Sequence, residues 1–264
     1  MRPATPLPAA CALLFLAVPP RLAPHERITQ RAARSLGWSR RACRHLRRAV
    51  RAVDLDEMVC NAAGGSLSVA TTEAYDPAHH CDRPAGASHR KALEAARRHV
   101  RRTLEEAVRL AREGAAEEAL DALGRALHTV QDAYSHTDAA ERGVQAQDMD
   151  PHGMPPQGVR VTAFDCHAEQ PGLPDDAFPH DEHAKDIPLH NDASSAACGD
   201  GTAFDAAREL AVCATEKALQ SFRQAVGEDA WHRLQHPPHW RLRSVARRNR
   251  PKRMLLTFEA SRRR

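Results

Sequence analysis

The chain has 264 residues, enough for one substantial core and a small appendage. Aromatic residues make up 4% of it while Ala and Arg are abundant, which suits long helices and argues against a sandwich or barrel. The formal charge of +4 is unevenly placed: 241–264 holds ten Lys/Arg and one acid, and the rest holds 28 basic and 33 acidic residues, so a basic balance does not mark the body as a nucleic-acid binder.

The first 23 residues read as a secretory signal peptide. Arg2 supplies a short positive region, and the apolar run AACALLFLAV over 9–18 is too short to span a bilayer as a helix. Ala23 is the best small residue for cleavage; a retained N-terminal anchor is the competing reading. Cleavage would remove Cys11 and leave Cys43, Cys60, Cys81, Cys166, Cys198 and Cys213. An even count in an exported chain predicts disulfides, and no pair has the C-x-x-C spacing of a redox site or zinc ribbon.

A helical domain is expected over 24–230. Its first helix runs over 26–36 and stops at Gly37. A second, with Arg crowded on one face, covers 39–59. The Gly-, Thr- and Pro-rich stretch 61–87 reads as a loop. An amphipathic helix over 88–113 carries Leu93, Val100, Leu104 and Val108 about one turn apart and stops at Gly114. Another helix spans 115–140. The stretch 143–203 has little periodicity and holds Cys166 and Cys198, so a long irregular loop tied by disulfides is expected there. A last long helix covers 204–226, and 231–264 reads as a peripheral basic tail.

The most informative motif lies in the helix over 115–140. His128, Asp132 and His136 recur every fourth residue in LGRALHTVQDAYSHTD. A four-residue step turns a helix about 400°, so the three form one slightly slanted stripe. Leu120, Leu123, Leu127, Val130 and Tyr134 form the neighbouring apolar stripe. Imidazole, carboxylate and imidazole on one face suit zinc. The plainer alternative is a set of solvated helix-face pairs.

Four other stretches carry ligand chemistry. His25 stands at the start of the first helix. Asp54 and Asp56 lie two apart, so they do not share a helix face well; one is the candidate ligand. His79, His80 and Asp82 sit in AYDPAHHCDRP, where one of the two histidines is expected to face an ion. His180, Asp181, His183, Asp186, His190 and Asp192 crowd FPHDEHAKDIPLHND without helical spacing.

The order HERITQRAARSLG, Asp54 or Asp56, HHCDR and ALHTVQDAYSHTD resembles the zinc-dependent phospholipase C and single-strand nuclease superfamily, above all its Het-C-like bacterial branch. The resemblance covers about 24–226, with the striped helix its most specific part. It implies an all-α fold, a helical bundle around a metal cluster of two or three zinc ions. His25, Asp54, His79 or His80, His128, Asp132 and His136 would be ligands. Asp132 would bridge metals, and Asp54 would be the general base or water-orienting carboxylate. The family completes one zinc with a downstream H-x-x-x-E or H-x-x-x-D pair; His183 with Asp186 is the nearest substitute here.

The activity implied is that of a secreted or periplasmic zinc-dependent phosphoric diester hydrolase of phospholipase C type. Its substrate would be a phospholipid or another phosphodiester, and contact with a membrane surface would fit. A single-strand nuclease is the second expectation, weakened by the scarcity of aromatic residues for base stacking, so no nucleic-acid partner is clear. The third is a non-catalytic, metal-stabilised binding or membrane-associated protein.

Overall fold

The computed structural model describes residues 24–63, 66–71, 75–84, 86–162 and 202–236. Six α-helices occur among them: α1 (Pro24–Ser35), α2 (Arg40–Glu57), α3 (His89–Arg112), α4 (Ala116–Ser135), α5 (Thr202–Val226) and α6 (Glu228–Gln235). Pro24 opens α1, where its missing N–H costs nothing. Ser88 caps α3 by accepting from the Lys91 amide, and Gly37 and Gly114 follow α1 and α3 at φ +74° and +84°.

Helix α4 is the centre of the bundle. Ala119, Leu120, Leu123, Leu127, Val130 and Tyr134 are buried, and so are the polar His128, Thr129, Gln131 and Asp132. A helix buried on nearly every side must be surrounded, and α1, α2, α3 and α5 all pack on it. Small residues allow close approach. A Cβ at Gly124 would lie 2.3 Å from the Ala49 Cβ of α2. Tyr134 donates from its hydroxyl to the Gly153 carbonyl at 2.8 Å, which ties the 150–154 turn to the bundle.

Three local expectations change. Residues 58–71 form an antiparallel hairpin, β1 (Met58–Ala63) with β2 (Ser66–Thr71), where the sequence suggests a helix end and a loop. The register runs from Met58 opposite Thr71 to Ala63 opposite Ser66. Helix α4 ends at Ser135, and His136 is its C-cap residue rather than a mid-helix one. Glu228–Gln235 is a helix whose Trp231 meets Trp38 edge-on, with ring centroids 4.5 Å apart, and whose Gln235 side chain accepts from the Ser39 amide at 2.6 Å.

The helical bundle stands, but the disulfide framework does not. Cys43, Cys81 and Cys213 are free thiols, and no disulfide occurs among the described residues. Cys43 and Cys81 are enclosed by core side chains, so their burial is that of small apolar residues. The stretch 163–201, with Cys166 and Cys198, lies outside the described residues. No helix among the described residues is long and apolar enough to cross a membrane.

Candidate metal centre

Four segments meet at the C-terminal half of α4. The first turn of α1 delivers His25, and the last turn of α2 delivers Asp54 and Glu57. The 77–82 turn supplies His80 and Asp82, and α4 supplies His128 and Asp132. Cys81, between His80 and Asp82, has φ +52°, the one positive value at a non-glycine among the described residues. The segment is a turn rather than an extended strand, and His80 and Asp82 on either side of Cys81 are both buried.

His80, His128 and Asp132 form a tight buried triangle. His128 Nε2 lies 2.9 Å from Asp132 Oδ2 and 3.1 Å from His80 Nδ1, and His80 Nδ1 lies 3.3 Å from the same Oδ2. Ligands at about 2.0–2.1 Å from one tetrahedral ion stand about 3.3 Å apart, so these three edges match one face of such a site. The other Asp132 oxygen, Oδ1, is 3.1 Å from His25 Nε2. Asp54 Oδ1 is 3.5 Å from His128 Nε2 and stands at the more exposed side. The chain thus holds two His/Asp groups capable of coordinating a divalent metal: His80, His128 and Asp132, and His25, Asp54 and His128.

Surrounding polar groups orient these ligands. Gln131 Oε1 accepts from His25 Nδ1 at 2.9 Å, while the Gln131 amide nitrogen donates to Thr29 at 2.9 Å and Thr215 at 3.3 Å. His25 is thereby left with Nε2 toward Asp132. Tyr75 stacks on His80 with ring centroids 5.1 Å apart and donates to Asp82 Oδ2 at 2.5 Å. His128 Nδ1 is buried without a hydrogen-bond partner, and His80 Nε2 has an ion-pair contact without an aligned hydrogen bond. Imidazoles gathered this closely, with buried nitrogens left short of partners, fit a divalent cation better than a purely hydrogen-bonded core.

The charges answer one another. Burial would lower the His25 pKa, but the Asp132 carboxylate outweighs it and raises it to about 9. Burial likewise opposes protonation of His80, yet the neighbouring Asp132 and Glu57 carboxylates raise it to about 10. Burial pushes Asp132 up, and the surrounding His128, His25 and His136 hold it well below the ordinary carboxylate range. Protons on these imidazoles occupy the place that a metal cation would take, so metal uptake must displace them.

The sequence candidates divide. His25, Asp54, His80, His128 and Asp132 converge. Asp56 is exposed on the other side of α2. His79 turns its Nδ1 to Glu57 Oε1 at 2.7 Å and packs on His99 with ring centroids 4.1 Å apart. His136 donates from Nδ1 to the His80 carbonyl at 2.7 Å and faces Asp82 at 3.1 Å, so it belongs to neither ligand group. His183 and Asp186 lie outside the described residues. Glu57, Tyr75 and Gln131 escape a reading of sequence motifs. Only Glu57 left a signal, its three-residue spacing from Asp54 on one helix.

No family model matches this chain, and no curated protein and no solved structure matches it. The arrangement of the ligand groups corrects the resemblance to the phospholipase C and nuclease superfamily. The resemblance implied one cluster of two or three zinc ions, with ligands running from His25 through His136 to a downstream pair. The described residues instead form two groups sharing His128, with His136 bound to a backbone carbonyl. The phospholipase C-like and nuclease-like activities, the phosphoric diester hydrolase class and the Het-C-like binding role rested on that set and fall with it. The general-base role of Asp54 and a phospholipid or phosphodiester substrate rest on the resemblance alone.

Proposed function

We propose that this chain is an exported zinc-binding protein whose working form holds the metal at the Asp132 group. The carrying observation is the 2.9, 3.1 and 3.3 Å triangle of His128, Asp132 and His80 ligand atoms. Two imidazoles and a carboxylate form a donor set suited to zinc. His80, His128 and Asp132 would hold one ion, and His25 and Asp54 of the other group would help hold a second, with the other Asp132 oxygen 3.1 Å from His25 Nε2. A bound ion supplies positive charge against Asp132, Asp54 and Glu57, together with a Lewis-acidic position.

This chain's own residues prepare the site. Asp132 reaches both groups, Gln131 fixes the His25 ring, and the burial of His80 and His128 excludes water from the inner group. Asp54 leaves the outer group accessible. Four chain segments meet here, so an ion would cross-link α1, α2, α4 and the 77–82 turn. Metal binding to the folded form alone stabilises it by mass action.

Elemental analysis of protein purified without added metal tests this reading. Two bound zinc ions per chain are expected, with a thermal midpoint that falls on chelation and recovers with zinc but not magnesium. Absence of zinc from the purified protein, with a midpoint indifferent to added zinc, would overturn it. Export is tested by N-terminal sequencing of protein recovered outside the cytoplasm; the apolar run over 9–18 supports removal of the first twenty-odd residues.

A further inference from the structure

We infer that Glu57 is the positioning residue that decides which nitrogen His80 offers to the metal. This rests on the metal reading above. Imidazole has two nitrogens, and the one that binds a metal is chosen by what the other contacts. His80 Nδ1 faces His128 and Asp132, while its Nε2 faces Glu57 Oε2 at 3.3 Å. The ring therefore stands between the ligand group and a carboxylate, the arrangement in which an outer carboxylate orients a metal-bound histidine.

Glu57 is itself held firmly. Its Oε1 lies 2.7 Å from His79 Nδ1, and its Oε2 also accepts from the Asp76 amide at 3.1 Å. Both ends of the 76–80 segment are thus tied to the last residue of α2. Glu57 is buried and lies one turn beyond Asp54. One turn of α2 supplies both a candidate ligand and the acceptor that orients another ligand.

Two of the three histidines beside Asp132 differ in their outer partner. His25 is backed by the neutral amide of Gln131, and His80 by an anionic carboxylate. A carboxylate makes its histidine the more basic ligand. The group of His80, His128 and Asp132 is accordingly the tighter of the two and fills first.

Zinc affinity of the full chain, measured by competition with a chromophoric chelator, tests this. Glu57→Gln should bind the first zinc about 10–100-fold more weakly than the parent. His79→Ala, which removes a tether of the turn but leaves Glu57 facing His80, should stay within a few-fold. An unchanged first affinity in Glu57→Gln, or an equal loss in His79→Ala, overturns the positioning role. In both cases a parent protein that binds zinc through Asp132 leaves the metal reading standing. A parent that binds no zinc overturns both. Nitrogen-15 NMR of the zinc-loaded parent decides the matter even where Glu57→Gln does not fold. His80 should carry its proton on Nε2 and its metal on Nδ1; the reverse tautomer overturns the inference.

Discussion

Asp132 Oδ2 lies 2.9 Å from Nε2 of His128, one turn earlier on the same buried helix. The pair sits at the bundle centre, so its chemistry is coupled to packing on every side. Replacing Asp132 with Asn keeps the size and removes the charge. The expected outcome is loss of both bound zinc ions with α4 intact, because Asn costs a helix little beyond the metal contribution. Elemental analysis and circular dichroism of Asp132→Asn beside the parent check this. Zinc content equal to the parent's would mean that Asp132 is not a ligand.

Stability of the metal-free protein should depend on pH in a stated direction. His25 and His80 have folded pKa values of about 9 and about 10, above the ordinary imidazole value. A raised pKa means that their contribution is full below about pH 6.5 and is lost as pH rises through 9 to 10. Asp132 acts oppositely, its contribution being lost as pH falls below the ordinary carboxylate range. Zinc competes with the imidazole protons, so the stabilisation by zinc should grow between pH 6 and 9. Thermal midpoints with zinc and with chelator across that range measure it. A gap that narrows as pH rises would contradict the assignment.

The approach of α2 to α4 leaves no room at Gly124. A Cβ there would lie 2.3 Å from Ala49 Cβ and about as close as 3.0 Å to the Ala49 backbone. Gly124→Ala should therefore destabilise the protein by about 1–3 kcal/mol or more despite the better helix propensity of Ala. Ala49→Gly in the same chain should restore only part of it, since the backbone contact stays. Denaturant midpoints of the single and double variants give the comparison.

Cysteine labelling examines the free-thiol finding. Cys213 is half-buried, whereas Cys43 and Cys81 are buried, and burial pushes the Cys81 thiol up to about 12. A thiol reagent at neutral pH should modify Cys213 in the native protein, and Cys43 and Cys81 only after unfolding. Peptide mapping locates the label. A native protein in which Cys213 resists the reagent until reduction would point to a bridge instead.

Tyr134→Phe removes one buried donor and leaves the Gly153 carbonyl without it. A loss of about 1 kcal/mol in unfolding free energy is expected, together with faster amide exchange in the 150–154 turn. Zinc affinity should stay at the parent value, because the Tyr134 hydroxyl donates away from the Asp132 group. Weaker zinc binding in this variant would show that the turn and the metal centre move together.

The sequence by itself determined the five longer helices and the His128–Asp132 pair of the stripe. Apolar residues one turn apart mark α3 and α4, Gly37 and Gly114 mark helix ends, and His128 with Asp132 is legible because four residues on a helix always bring side chains to one face. Local periodicity is a property of one segment and can be read there. The hairpin over 58–71 was less visible, since short alternation beside a helical pattern reads either way. Only the tertiary structure decided which histidine of the 79–80 pair turns to Asp132, that Glu57 stands behind it, and that Gln131 holds His25 from 106 residues away. The free state of Cys43, Cys81 and Cys213 was decided there too, because an even cysteine count says nothing about distance. Contacts between segments depend on how helices cross and on the left-handed turn at Cys81, and neither follows from the spacing of residues within a segment.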